Sequence, residues 1–293
     1  MFLQQLVNGL TVGCTYALVA VGFSMVYGVL QLVNFAHGAF YLVGVYMMIT
    51  LYVSMSLGLL PALLLALTGT GLLGALMDRV ILKPIRNRSG NSGVASLIAT
   101  LGMGTCITNL LIVLFGSETK SFPNILDFGK FYLGGAIVRW NQVLIALITI
   151  AMMSLLSLIV YHTKMGTAMR AISQNPQAAQ LMGIPVDQVI MITFFIGTVC
   201  AAVSGVLVAM YYASIDTAMY MAVSLKTFAS AVLGGIGSLP GAMIGGVLIG
   251  VLETLVAGYI SSDYREAVAF IILIAVLLLK PSGLLGQKQA EKV

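Results

Sequence analysis

Long apolar runs alternate with short polar interruptions along this chain, and the lengths of the runs identify what they are. Residues 6–27 form the first, long enough to cross a bilayer, since roughly 20 apolar residues rising 1.5 Å each span the hydrocarbon core. The polar dip GVLQLVNFAHG separates it from a second run over 36–56. Pro61 opens a third, which ends at the charged stretch DRVILKPIRNRSGN. Further runs cover 94–116, 141–161, 189–212, 222–238, 241–259 and 266–280. The polar segment after 116, with Glu118, Lys120, Asp127, Lys130 and Arg139, reads as a structured external loop. The pattern predicts nine crossings, or eight and a re-entrant piece, with 222–238 the weakest. The expected fold is an all-α polytopic membrane helical bundle forming a single transmembrane domain over 1–293.

Composition removes the competing classes. Hydrophobic residues make up 60% of the chain and charged residues 8%, against a charged fraction of about 25% in soluble domains. Mean hydropathy is +1.06. Cys14, Cys106 and Cys200 all lie inside apolar runs without metal-ligand spacing, and read as small buried hydrophobes. The sequence has no GxxxxGK[ST] phosphate loop, HExxH, GxSxG or CxxC, so the expectation is a non-enzyme with no cofactor or metal of its own. The N-terminal MFLQQLVNGL lacks a basic region and a cleavage pattern and is not expected to be a removable signal peptide.

The net charge of +5 is an orientation signal and gives no hint of nucleic acid. Arg79, Lys83, Arg86, Arg88, Lys164, Arg170, Lys280, Lys288 and Lys292 fall on one side of the predicted bundle. Lys120, Lys130, Arg139 and Arg265 fall on the other. The richer side is expected in the cytoplasm, with the C-terminus and the 162–187 loop, and the N-terminus on the far side.

That loop, HTKMGTAMRAISQNPQAAQLMGIPVD, is no slack linker. A helix-forming patch from Ala168 to Ser173 is followed by Asn175, a good N-cap, and Pro176 at the first helical position. The turn of helix QAAQLM stops at Gly183, and Pro185 prevents its resumption. Two short helices are expected, exposing Ala168, Ala171, Ala178, Ala179, Leu181, Met182 and Ile184. An apolar helical knob of this kind fits a partner's groove.

Within the spans, charged and polar residues are the site candidates, because a charge near the bilayer centre costs roughly 2.5–3.5 kcal/mol on insertion scales. Glu253 lies deep in its run and reads either as a pathway or interhelical group or as one reaching the outer surface. Lys226 sits nearer an end, where it can snorkel. Asn34 and His37, three apart, share a face if helical, and a lone His among small residues is more often a packing element. Gly237, Gly241 and Gly245 step by four, as do Gly246 with Gly250 and Gly9 with Gly13, a spacing that lets helices approach closely. NFAHGAFYLVGVY and LGGIGSLPGAMIGG each place small residues beside a break, in opposite halves of the chain. They read either as an inverted repeat or as two unrelated contact faces.

Three stretches carry a family resemblance. The run GTAMRAISQNPQAAQLMGIPV resembles the cytoplasmic coupling loop of the LivH-type permeases of branched-chain amino-acid ABC importers. VNFAHGAFYLVGVY at 33–46 and FASAVLGGIGSLPGAMIGGVLIGVLE at 228–253 resemble the same family's N- and C-terminal signatures, in the family's order. The chain departs at Ala39, where the family usually has an acid. The resemblance implies an inner-membrane subunit with two ATPase subunits, which hold ATP and Mg, a second homologous permease, and a periplasmic binding protein delivering the amino acid. ATPase coupling would then fall to Gly166, Arg170, Ala171, Asn175, Pro176, Ala178, Ala179, Met182, Gly183, Ile184 and Pro185. Asn34, His37, Lys226 and Glu253 are the candidates for the pathway. Importers of urea or short amides use related permeases and are the runner-up; a self-sufficient channel or ion-coupled carrier comes third.

Overall fold

The computed structural model describes residues 1–89, 93–123 and 129–286, so Asp127 of the external segment and Lys288 and Lys292 of the charge count lie outside the described residues. The apolar runs are helices. They are α1 (Phe2–Leu30), α2 (His37–Ile49), α3 (Leu59–Met77), α4 (Lys83–Ser89), α5 (Gly93–Phe115) and α6 (Trp140–His162). After the short α7 (Lys164–Gln174) and α8 (Pro176–Leu181) come α9 (Val186–Tyr212), α10 (Met219–Gly234), α11 (Leu239–Tyr259) and α12 (Arg265–Leu279). Wider π-helical turns extend α2 to Ser54 and join α3 to α4 through Asp78–Leu82.

Seven stretches among the described residues are long and apolar enough to cross a membrane. The α10 and α12 helices, at 16 and 15 residues, fall short of the usual span of about 17–25. Each of the nine predicted runs is thus a helix among the described residues, seven of them long and two short. The run at 222–238 is a helix that ends at Gly234 and a turn over 235–238, because Gly235 and Gly237 take positive φ of 103° and 87°.

The bundle has an inside and an outside of its own. The spanning windows of α1 and α9 are 83% and 72% buried, whereas those of α5 and α6 are 17% and 22% buried and turn leucine and isoleucine outward, as lipid-facing helices do. Small residues set the centre. A Cβ on Gly9 would lie 2.8 Å from Val251 Cα, and one on Gly13 would lie 2.7 Å from the Val247 carbonyl oxygen. From the other side, Gly246 meets the backbone of Ala17, and Gly250 that of Gly13. The second glycine row of α11 faces α10, with Gly241 against the Gly234 carbonyl and Gly245 against that of Ser230. Gly237 is in the turn and touches Gly28.

The two glycine-flanked breaks engage each other's preceding helix. Gly237 N donates to Ser24 Oγ of α1 at 3.1 Å. Reciprocally, Ser224 Oγ of α10 donates to the Phe35 carbonyl, in the break after α1, at 3.3 Å.

The molecule has two distinct ends. At one, the hairpin of β2 (Lys130–Leu133) and β3 (Ala136–Arg139) meets the start of α1, with Ile137 N donating to Gln4 Oε1 at 2.7 Å. The strands β1 (Lys120–Ser121) and β4 (Ser214–Ile215) pair antiparallel, tying the segment after α5 to the end of α9. The opposite end holds α4, α7, α8, the start of α9 and the last described residues. There Leu284 N and Leu285 N bond to the carbonyls of Leu233 and Gly234, both at 2.9 Å.

Candidate functional site

The deepest charge in the sequence sits in a cluster. Glu253 is fully buried, and its Oε1 lies 2.9 Å from Lys226 Nζ and 2.6 Å from Arg265 Nε. Tyr16 OH donates to the same oxygen at 3.3 Å and lies 3.3 Å from Lys226 Nζ, while Arg265 Nη2 donates to Tyr212 OH at 2.9 Å. Helices α1, α9, α10, α11 and α12 are thus joined through one carboxylate. Two cations compensate its desolvation, without which a buried ion is strongly destabilising. Glu253 does not reach the surface, and Lys226 does not snorkel: an anion within 3 Å is a better partner than the distant interface. The group lines a cavity of 370 Å³ that includes Tyr41, Val208 and Val223.

Asn34 and His37 do not line that cavity. Asn34 Oδ1 accepts from Ala36 N at 3.1 Å and closes the turn before α2. His37 is the buried first residue of α2, edge-on to Phe23 with ring centroids 6.1 Å apart. Both shape the break between α1 and α2.

The second site is the opposite end's two-helix loop. Thr163 Oγ1 accepts from Gly166 N at 3.2 Å and caps α7. A side chain on Gly166 would run into the Val160 carbonyl, so glycine allows α7 to fold back over the end of α6. Arg170 is exposed and is held in place by local contacts. Its guanidinium donates to the Val160 carbonyl, one of the acceptors that the end of α6 leaves open, and to Thr167 Oγ1 at 3.3 Å. Met169 and Ile172 bury the inner face of α7, with Ala168 and Ala171 half-buried beside them.

Asn175 Oδ1 accepts from Gln177 N and Ala178 N, both at 3.0 Å, and Pro176 opens α8. Gly183 takes φ 83° where the chain leaves the helix. Pro185 then caps α9, accepting from Val189 N at 3.1 Å. The exposed surface is narrower than the composition of the loop implied. Ala179 is buried and Ile184 half-buried, because the turn after α8 folds Ile184 N back to the Ala179 carbonyl at 3.1 Å. Ala178 is exposed, and Leu181 and Met182, at 89% and 84%, form the tip. Beside them a cleft of 1240 Å³ is lined by the end of α1, Arg86, Ile172 and Pro185.

Sequence reasoning missed two groups. Arg265 counted only as a loop cation, and Tyr16 and Tyr212 carried no local signal; their meeting with Glu253 is a product of helix packing. The other is an ionic clamp at the base of α9. Lys83 Nζ is 2.8 Å from Asp187 Oδ2, Arg86 Nη2 is 3.5 Å from Asp187 Oδ1, and Arg86 Nη1 is 3.2 Å from the buried Asp78. The spacing of Lys83 and Arg86 on one helical face hints at such a cluster, but Asp187 lies about a hundred residues away.

The chain's relatives can be set beside this geometry. A family model described as the permease component of the branched-chain amino acid transport system matches residues 5–277. The high-affinity branched-chain amino acid transport system permease protein BraD of Pseudomonas aeruginosa is 40% identical, covering 100% of this chain and 98% of that protein. The corresponding LivH protein of Escherichia coli K12 is 38% identical over the same shares. Among solved structures, PsaBC from Streptococcus pneumoniae in complex with Fab superposes with a TM-score of 0.52 over 96% of this chain and 93% of that one. At 17% identity this is a likeness of fold alone.

Proposed function

The chain belongs to the family of branched-chain amino acid transport permeases, and from that premise we propose that it is the membrane subunit of an ABC importer for those amino acids. It carries the pathway and binds no ATP; ATPase subunits in separate chains dock on α7 and α8. A second, homologous permease completes the membrane unit, and a periplasmic binding protein delivers the amino acid. The protein is placed in the inner membrane, with the α7–α8 end and the C-terminus in the cytoplasm and the N-terminus in the periplasm. ATP binding draws the ATPases together, the two short helices move with them, and the bundle changes the side to which its pathway opens.

The observation that carries the coupling role is the construction of the loop. Its helices are capped at both starts and seated on α6 and α9, yet they hold two large apolar side chains, Leu181 and Met182, in the open. Apolar exposure on a rigid, polar-rimmed element marks a protein contact. The ionic clamp from Asp187 to Lys83 and Arg86 ties the first turn of α9 to α4, so that a push on the knob reaches the central helix.

Reconstitution with the companion subunits tests the function. ATP-dependent accumulation of leucine, isoleucine or valine, abolished without the binding protein, is the expected result. Accumulation of urea but not leucine would transfer the chain to the runner-up substrate class. Uptake sustained by an ion gradient without ATP would remove it from the importers altogether.

A further inference from the structure

The cavity around Glu253 has a composition that the fold does not require. Its lining carries two cations, Lys226 and Arg265, and two carboxylates, Glu253 and Glu266, against a wall that includes Val12 and Val223. A balanced set of this kind suits a ligand that carries both charges and no net charge. Its position suits access, because the Arg265 side chain is 34% exposed while that of Glu253 below it is 1% exposed. The hydrogen-bonding capacity is also unspent. All the contacts of Glu253 fall on Oε1, and its buried Oε2 has no hydrogen-bond partner among the described residues. Lys226 has three N–H donors and directs two, to Glu253 and Tyr16. The Arg265 fork keeps donors beyond those facing Glu253 and Tyr212. At 370 Å³ the cavity lies within the roughly 300–1,000 Å³ of small-molecule pockets.

We propose that this cavity is a subsite for a zwitterionic aliphatic amino acid, with the ammonium group at Glu253 Oε2, the carboxylate at Lys226 and Arg265, and the side chain against the valine wall. The subsite presupposes the amino-acid permease function proposed above, and gives it an address inside one subunit. Binding uses the unspent Glu253 Oε2 and the spare donors of Lys226 and Arg265, so the protein's own ion pairs stay formed as the amino acid enters.

The full-length chain in lipid nanodiscs is probed by saturation-transfer NMR with three compounds: L-leucine, isopentylamine, which lacks the carboxylate, and 4-methylpentanoate, which lacks the ammonium group. Leucine is expected to bind saturably, and each analogue to bind about tenfold or more weakly, because a site built for a polar group is left unpaired by a ligand without it. Glu253→Gln is expected to weaken leucine by about tenfold or more, as loss of one member of a buried charge pair does. Because that substitution also disturbs the ion cluster, Ala222→Phe serves as a second variant. It fills the cavity from α10 with the ions untouched and is expected to abolish leucine binding. Absence of saturable leucine binding, equal binding of all three compounds, or leucine binding unchanged in both variants would each overturn the subsite. ATPase retention is read on parallel preparations purified with co-expressed companion subunits, so a failure of the proposed function is seen separately.

Discussion

The two ends of this bundle treat exposed and buried chemistry in opposite ways. At the hairpin end, three charges are drawn into the protein and closed on one another around Glu253. At the α7–α8 end, ions such as Asp187 and Lys83 remain near the surface while Leu181 and Met182 are pushed into the open. The first arrangement stores its interactions inside one chain. The second leaves apolar surface for another chain to cover. A subunit that moves substrate at one place and receives work at another needs this asymmetry, and variants at either end separate the two roles.

The largest effect is expected from Glu253→Leu. The substitution strands Lys226 and Arg265 in a buried site, and breaking a buried pair destabilises by about 3–5 kcal/mol. A lowered thermal midpoint in detergent is the readout, and Lys226→Met is expected to do less because Arg265 still faces the carboxylate. Gly250→Leu comes next. Its side chain would enter the backbone of Gly13, and overpacking costs about 1–3 kcal/mol, whereas Gly102→Leu on the lipid-facing α5 has open space and is expected to be silent. If both glycine variants melt alike, the tight α1–α11 seam is not what holds the centre.

Gly183→Val strains the left-handed exit of α8 by roughly 1–2 kcal/mol and acts on the other end. ATPase retention is expected to fall while the melting of the bundle changes little. The smallest effect belongs to Asp187→Asn, which removes two partly exposed ion pairs worth about 0.2–1 kcal/mol each. Normal assembly with more ATP hydrolysed per amino acid taken up is the expected outcome, since the clamp's contribution is to position α9.

The sequence made the spans, the capped loop and the glycine seams legible because each is written locally. Asn175, Pro176 and Gly183 are a cap, a start and a stop within nine residues. Gly246 and Gly250 mark a face by their spacing alone. The Glu253 cluster was half legible. A charge in an apolar run announces a partner without naming it, and Arg265 belongs to a turn whose position depends on how α12 packs. The local contacts of Arg170 were hidden for a similar reason: the fold-back at Gly166 brings this exposed residue over the open carbonyls of α6. Ala179 lost its expected exposure to the tight turn that follows it.

Whether separate ATPases drive this subunit through the tip of α8 is decided by the double substitution Leu181→Asp with Met182→Asp. Both side chains project into solvent, so the variant is expected to insert, fold and melt as the wild type does. Purified with its co-expressed companion subunits, it is expected to lose the ATPases and ATP-driven uptake together, while binding of the companion permease persists. Full ATPase retention and undiminished uptake in that variant would contradict the claim.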